Sequence, residues 1–210
     1  MYTLYYSPGA CSMAIHVVLN ELGAPFELKK VSIGNAKQPD AELLKVNPRG
    51  SVPVLADDGL VIREGAAILL WLLEKHPNAL MPREGKARAQ ALEWLMFANA
   101  TMHPAYGRMF FLNKNIPDKA QGAPLLQAGI DHINKLWRDV EEKLKTSRYV
   151  AGDACTVGDI VLAVIANWSG NLPGTVELGP NVKRLLKDVT SRPAYQKALA
   201  TEQVEYKAAA

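Results

Sequence analysis

Hydrophobic and polar positions change rhythm several times along the chain. Tyr2–Tyr6, aromatic and Thr-containing, predicts a short strand, and Ser7-Pro8-Gly9 a turn. Met13, Ala14, Val17, Val18 and Leu22 then recur at a helical period, and Gly23 stands where a helix-ending glycine belongs. The mostly alternating segment 26–31 predicts a second strand. A polar stretch over 32–40 leads into a short helix at Ala41–Val46, and Asn47-Pro48-Arg49-Gly50 is a turn. Segments 52–56 and 60–62, joined through Asp57-Asp58-Gly59, predict a hairpin with an Asp-Gly turn. Gly65–Lys75 is apolar with a helical pattern, stopped by Pro77. A strand–helix–strand unit implies parallel strands with a right-handed crossover, and the hairpin adds two antiparallel ones. Past Pro77 and Pro82 the pattern is helical throughout. One long helix is expected over 87–113 with a bend at Pro104, and a second over 125–145. In the second, Leu126, Ile130, Ile133, Leu136, Val140 and Leu144 form a single stripe. A third spans 157–168, with shorter ones at 182–191 and 194–199. The fold class is therefore α/β plus all-α: a mixed four-stranded first domain at 1–79, a linker at 80–86 and a helical domain at 87–210.

Composition narrows this picture without redirecting it. Of 210 residues, 49% are apolar and 21% charged, which suits one or two cored domains and argues against disorder. The net charge of +3 comes with no polybasic run, so nucleic acid is not an expected partner. The longest uncharged apolar run, 65–73, falls far short of the ~18 residues of a membrane span, so no membrane is expected. The first Lys or Arg is Lys29, so no signal peptide is readable. Two cysteines make no disulfide framework, and the expected compartment is a reducing, cytoplasmic one with both thiols unbridged.

Three places could carry chemistry. Cys11 falls where the first strand gives way to the first helix. There the unpaired N–H groups and the positive end of the dipole favour a thiolate, and such positions lower a thiol pKa from ~8.5 into the range ~3.5–7.5. The alternative is a small buried hydrophobe. Ser12 is either a plain N-cap or a hydroxyl donor to a bound sulfur. Val52-Pro53 interrupts a strand-like run. A cis bond there would leave the Val52 N–H and C=O facing outward for an extended, peptide-like ligand, although a trans proline at a strand start is the simpler reading when taken alone. Arg63-Glu64-Gly65 opens a helix whose N–H groups suit a carboxylate, with Glu64 open to an ammonium group or merely complementing the dipole. His16, His76 and His132 make no metal spacing, so no metal is expected. Asp159 reads as the cap partner of Thr156, and Cys155 as a structural thiol. Met102, Tyr106, Met109 and Phe110, at near-helical spacing, either line an apolar cosubstrate pocket or pack in a core or dimer contact.

Together, and in this order, these sites resemble the glutathione transferases. Tyr6-Ser7-Pro8-Gly9-Ala10-Cys11-Ser12 looks like the N-terminal run of the bacterial beta class. Asn47-Pro48-Arg49-Gly50-Ser51-Val52-Pro53 looks like the family's Asn-Pro-x-Gly-x-Val-Pro element. Segment 60–73 is similar to its third helix start, and Thr156-Val157-Gly158-Asp159 to its capping box. The resemblance implies a thioredoxin-like first domain, a helical second domain and a homodimer. It implies glutathione held by Val52 beside cis-Pro53, by Glu64 and Gly65 at the γ-glutamyl end, and by Lys37 at the glycyl carboxylate. Thr101 and His103 would touch glutathione from the helical domain, His103 also matching the beta-class catalytic histidine near Cys11, with Cys11, Ser12 and Tyr6 as donors to the glutathione sulfur. The implied activity is conjugation of the glutathione thiolate to small, mostly apolar electrophiles. Two alternatives are glutathione-dependent thiol–disulfide exchange or peroxide reduction through a Cys11 mixed disulfide, and a non-catalytic binding module. Two positions depart from the family pattern. Pro104 follows His103 where the beta class carries Lys, and Gly65 stands in place of Ser, leaving backbone N–H groups to meet the γ-glutamyl carboxylate.

Overall fold

The computed structural model describes residues 1–33 and 40–208; Lys37 lies outside the described residues. The chain forms two compact units. The first comprises Met1–Asn78 with Ser191–Glu205, and the second Ala79–Thr190 with the residues from Tyr206.

The first unit is a mixed sheet with helices on both faces. Its elements are β1 (Tyr2–Tyr6), α1 (Ser12–Glu21), β2 (Phe26–Lys30), α2 (Ala41–Val46), β3 (Val54–Asp57), β4 (Leu60–Arg63) and α3 (Gly65–Lys75). The strand order is β2-β1-β3-β4, with β1 and β2 parallel and the other two pairs antiparallel, the mixed sheet expected from the pattern in the thioredoxin-like arrangement that the resemblance implies. Because β1 is central, both of its faces are covered and nearly every residue is buried. Tyr5 packs with Val31, Leu43, Val52 and Val54 on one side. Leu4 is fully buried, as are Val17, Val18 and Leu19 of α1 and Ile68 and Leu72 of α3. Asp40 caps α2 by accepting from Glu42 and Leu43 N–H, both at 3.0 Å. Asp57 ties β3 to α3, accepting from Trp71 Nε1 at 2.9 Å and Lys75 Nζ at 2.7 Å.

The last helix belongs to this unit as well. Its apolar pattern placed residues 191–205 with the helical domain, but the helix at the chain's end, Pro193–Glu202, packs on α1. Arg192 holds Glu21 through two bonds of 2.7 and 2.8 Å, and Asn20 Nδ2 donates to Ala194 O at 3.4 Å. Periodicity reports that a helix has a buried face; it does not report which partner buries it.

The second unit contains α4 (Gly85–Met96), a π-helical stretch (Phe97–Met102), α5 (His103–Asn115), α6 (Lys119–Leu144), α7 (Val157–Ala166), a 3-10 turn (Ser169–Asn171) and α8 (Pro180–Thr190); the terminal helix Pro193–Glu202 is α9. The expected single helix over 87–113 is thus three segments. Pro104 has no N–H to donate, and it stands in the first turn of α5, where none is required. The widened turn before it absorbs the change of ladder. All of α7 is buried, and a Cβ on Gly158 would lie 3.1 Å from the Trp94 backbone, so glycine permits the close approach of α4 and α7. The whole predicted stripe of α6 is buried, together with Trp137. Asp159 closes the capping box: its carboxylate accepts from Thr156 N–H at 2.7 Å, Thr156 Oγ1 at 2.9 Å and Val150 N–H at 2.9 Å. Within the expected linker, Leu80 and Met81 are buried, and Leu80 O accepts from Val157 N–H at 3.0 Å. Among the described residues no helix is long and apolar enough to cross a membrane, and no cluster of His, Cys, Asp and Glu is arranged to hold a metal.

Candidate active site

Strand register brings three distant segments to one edge of the sheet. Tyr5 stands opposite Val54 and Val54 opposite Arg63, so the end of β1, the start of β3 and the end of β4 are aligned. What leaves each strand there is the 7–11 turn into α1, the Val52-Pro53 pair and the Glu64-Gly65 start of α3.

Cys11 precedes the first residue of α1, and its thiol donates to Val52 O at 3.3 Å. The backbone N–H groups of Cys11 and Ser12 favour its thiolate, as a helix start should. Burial outweighs them, and with the Glu64 charge also disfavouring the anion the thiol is pushed up to about 11. The expectation of a depressed Cys11 pKa is therefore corrected. The dipole and amides are present, but the sulfur sits where desolvation dominates, and it is a neutral S–H at pH 7.

Ser12 also departs from its expected role. It is fully buried, its hydroxyl accepting from Ser7 N–H and donating to Ser7 O, both at 3.3 Å. That hydroxyl closes the 7–11 turn and is not turned outward to a sulfur. Alternation along β1 sends Tyr5 to the α2 side and Tyr6 to the other. There the Tyr6 ring lies 6.3 Å from that of His16, and burial, followed by the charge of Glu202, raises its pKa. No hydrogen bond joins Tyr6 to Cys11 among the described residues.

The Val52-Pro53 bond is cis. The Val52 N–H has no partner among the described residues, while its carbonyl receives the Cys11 thiol. The turn before it is built by Asn47, which is 1% exposed. Its Nδ2 donates to Ser51 O at 2.7 Å and its Oδ1 accepts from Arg49 N–H at 3.2 Å. Arg63 pins the same turn to the end of β4 by donating twice to Val46 O, at 2.9 and 2.5 Å.

Glu64 stands at the start of α3 with φ of 76°, a region that disfavours a side chain and clusters at functional sites. Its carboxylate pairs with Arg49 at 3.0 Å, both side chains well exposed. The first N–H groups of α3, from Gly65 onward, have no partner in the preceding turn, as at any helix start.

The remaining expected site residues lie in the helical unit. Thr101 is in the π-helical stretch and His103 opens α5. The His103 ring lies 5.1 Å from Trp168, and burial lowers its pKa, so it is neutral at pH 7. Met102, Tyr106 and Met109 are core residues. All three are buried, and the Tyr106 hydroxyl accepts from Trp137 Nε1 at 2.8 Å and bonds Ser169 at 2.7 Å. Only Phe110 of that set is half-buried, beside Trp168. Lys37, outside the described residues, is not placed. Sequence reasoning missed Asn47, Arg49 and Glu202. Asn47 and Arg49 stand inside the turn motif; nothing local marks Glu202.

Family models agree with this layout. One described as the glutathione S-transferase N-terminal domain matches residues 9–75, and one described as the C-terminal domain matches 98–193. The chain is 32% identical to glutathione S-transferase GST-4.5 of Xanthomonas campestris pv. campestris, over 92% of this chain and 97% of that one. A sphingomonad glutathione S-transferase solved with glutathione superposes with a TM-score of 0.80 at 30% identity, covering 97% of this chain and all of that one. A bacterial beta-class glutathione S-transferase from Sphingomonas chungbukensis gives 0.81, also at 30% identity and with the same coverage.

Proposed function

The chain belongs to the glutathione S-transferase family, and on that premise we propose that it conjugates glutathione to small electrophiles of mostly apolar character, in the manner of the bacterial beta class. The observation that carries this reading is the Tyr5–Val54–Arg63 alignment, which brings a helix start, a cis-proline turn and a second helix start to one sheet edge. An extended tripeptide matches those parts. Its cysteinyl unit pairs with the Val52 backbone beside Pro53, as an added strand would. Its γ-glutamyl carboxylate meets the N–H groups from Gly65 onward, and its ammonium meets Glu64.

The protonated state of Cys11 supports conjugation over exchange. A neutral S–H donates a hydrogen bond but does not attack a disulfide, since the thiolate is the nucleophile in exchange. Cys11 is therefore assigned as a donor to the glutathione sulfur, its S–H turning from Val52 O as the cysteinyl N–H of glutathione takes that acceptor, with the amides of Cys11 and Ser12 adding their dipoles. The glutathione thiol gives its proton to a base, the sulfur forms a bond to the electrophilic carbon, and the leaving group departs with that carbon's electron pair. The roles of Thr101 and His103 rest on the family resemblance. A homodimer and a cytoplasmic setting complete the proposal, the first from the family resemblance and the second from the reducing compartment that two unbridged cysteines suit.

The test is direct. The purified protein should be retained on immobilised glutathione, be released by free glutathione, and conjugate a generic aryl halide. Retention without turnover would favour a binding module, and neither retention nor turnover would remove the reading.

A further inference from the structure

We propose that Glu202, at the C-terminal end of α9, is a positioning residue that sets the 7–11 turn and thereby the alignment of the Cys11 and Ser12 amides on the glutathione sulfur; the proposal rests on the conjugation reading. The residues involved all belong to the first unit. Glu202 Oε2 accepts from Gly9 N–H at 2.9 Å, across 193 positions of sequence. Its other oxygen lies 2.8 Å from His16 Nδ1, the two side chains being 0% and 1% exposed. One buried carboxylate therefore grips the turn before Cys11 with one oxygen and the body of α1 with the other. Gly9 is two residues from the cysteine, and His16 is on the second turn of the same helix. Fixing both fixes the angle at which the turn enters α1.

The end of α9 is shaped for this grip. Val204 N–H returns to Leu199 O at 3.0 Å and Gln203 N–H to Ala200 O at 3.3 Å, the paired bonds of a Schellman ending. The left-handed residue is Gln203, with φ of 56°, where glycine is the usual choice. A side chain in that region persists where its surroundings over-determine it. The reversal aims Val204 back at the turn, so that a Cβ on Gly9 would lie 3.5 Å from Cγ2 of Val204. Gly9 itself has φ of 68°, a conformation that accepts glycine readily and other residues poorly. The turn is thus held by a hydrogen bond, by packing and by its own backbone choice. Around the carboxylate, Tyr6 stands beside His16, and the far edge of the His16 ring meets Phe26 at 5.5 Å.

A purely structural contact would alter stability alone; a positioning contact alters the sulfur's ionisation while leaving peptide binding intact. Two variants separate these. Glu202→Gln keeps the reach: its Oε1 accepts from Gly9 N–H and its Nε2 donates to His16 Nδ1, with the imidazole taking the Nε2–H tautomer. Glu202→Asp keeps the charge but is shorter by one methylene and cannot span both partners. Readouts are kcat and KM with an aryl halide, the ultraviolet thiolate absorbance of bound glutathione at pH 7, and binding of S-methylglutathione, which has no thiol to ionise. Glu202→Asp should lose about tenfold in kcat and a similar share of thiolate signal, while glutathione KM and S-methylglutathione binding stay within about twofold. Glu202→Gln should stay within about threefold of the parent in every readout. A folded Asp variant with parental kcat and thiolate signal overturns the proposal, as does an equal loss of S-methylglutathione binding, or a Gln variant that falls as far as Asp. If Glu202→Asp does not fold, Gly9 amide exchange in the intact parent decides. Protection matching that of α1 supports the clamp, and exchange at the rate of an open loop overturns it. A parent protein without transferase activity would instead remove the conjugation reading, so the two failures are distinguishable.

Discussion

Cys11 shows how one side chain can be placed by sequence and still have its chemistry decided elsewhere. Its position at a helix start, with two amides turned toward the sulfur, follows from local spacing. Its acidity does not, because the half-buried Cys11 thiol loses more solvation than two dipoles return. The sign of the pH effect follows. A raised thiol pKa means a smaller thiolate fraction at any pH below it than a solvated cysteine has. Alkylation of Cys11 by iodoacetamide should therefore be slow at pH 8, with a titration midpoint near about 11, well above the ~8.5 of a solvated thiol. A midpoint at or below the solvated value would show that the helix dipole wins after all. A neutral donor is also modest in worth, so Cys11→Ala should lower kcat/KM by no more than about tenfold. Collapse to the uncatalysed rate would indicate a covalent role. Glu64 makes the complementary case: its residue type suited an ammonium group, but only the structure gave it a positive φ and set Arg49 beside it.

Elements were the most legible level, and their boundaries were not. All four strands, α1 and α3 stand close to where alternation and helical spacing put them, because each pattern is completed within its own few residues. The expected 87–113 helix divided because hydrophobic spacing over so long a segment cannot distinguish a standard ladder from one with a widened turn ahead of Pro104. Capping chemistry was readable because a cap and its partner are three residues apart. The Asp159 box carries a prediction at this scale. Its carboxylate satisfies two backbone N–H groups and a hydroxyl in the interior. Asp159→Ala strands those donors and should cost roughly 2–5 kcal/mol of stability, measured as a lower urea midpoint. A variant within about 0.5 kcal/mol of the parent would mean that the box is dispensable. Met102, Tyr106 and Met109 illustrate the converse ambiguity: a helical stripe of large apolar residues describes a pocket wall and a core equally well, and here it is core.

Across the whole molecule, the chain's final stretch returns to its first unit. The 191–205 segment covers α1, supplies Arg192 to Glu21, and carries Glu202 to Gly9 and His16. A chain stopped at residue 190 should therefore lose amide-exchange protection first in α1 and β1 of the N-terminal unit, while α6 keeps its own; loss confined to the helical unit would contradict that assignment. By itself the sequence determined the order of elements, the mixed sheet, the capping box, the turn before Pro53 and the family likeness, all of which depend on neighbours a few residues away. Tertiary structure alone decided the protonation of Cys11, the burial of Met102, Tyr106 and Met109, and the allegiance of α9. The reason is common to these three. Desolvation and long-range hydrogen bonding depend on which surfaces meet, and a linear pattern states only that a surface is apolar or polar, not what will lie against it.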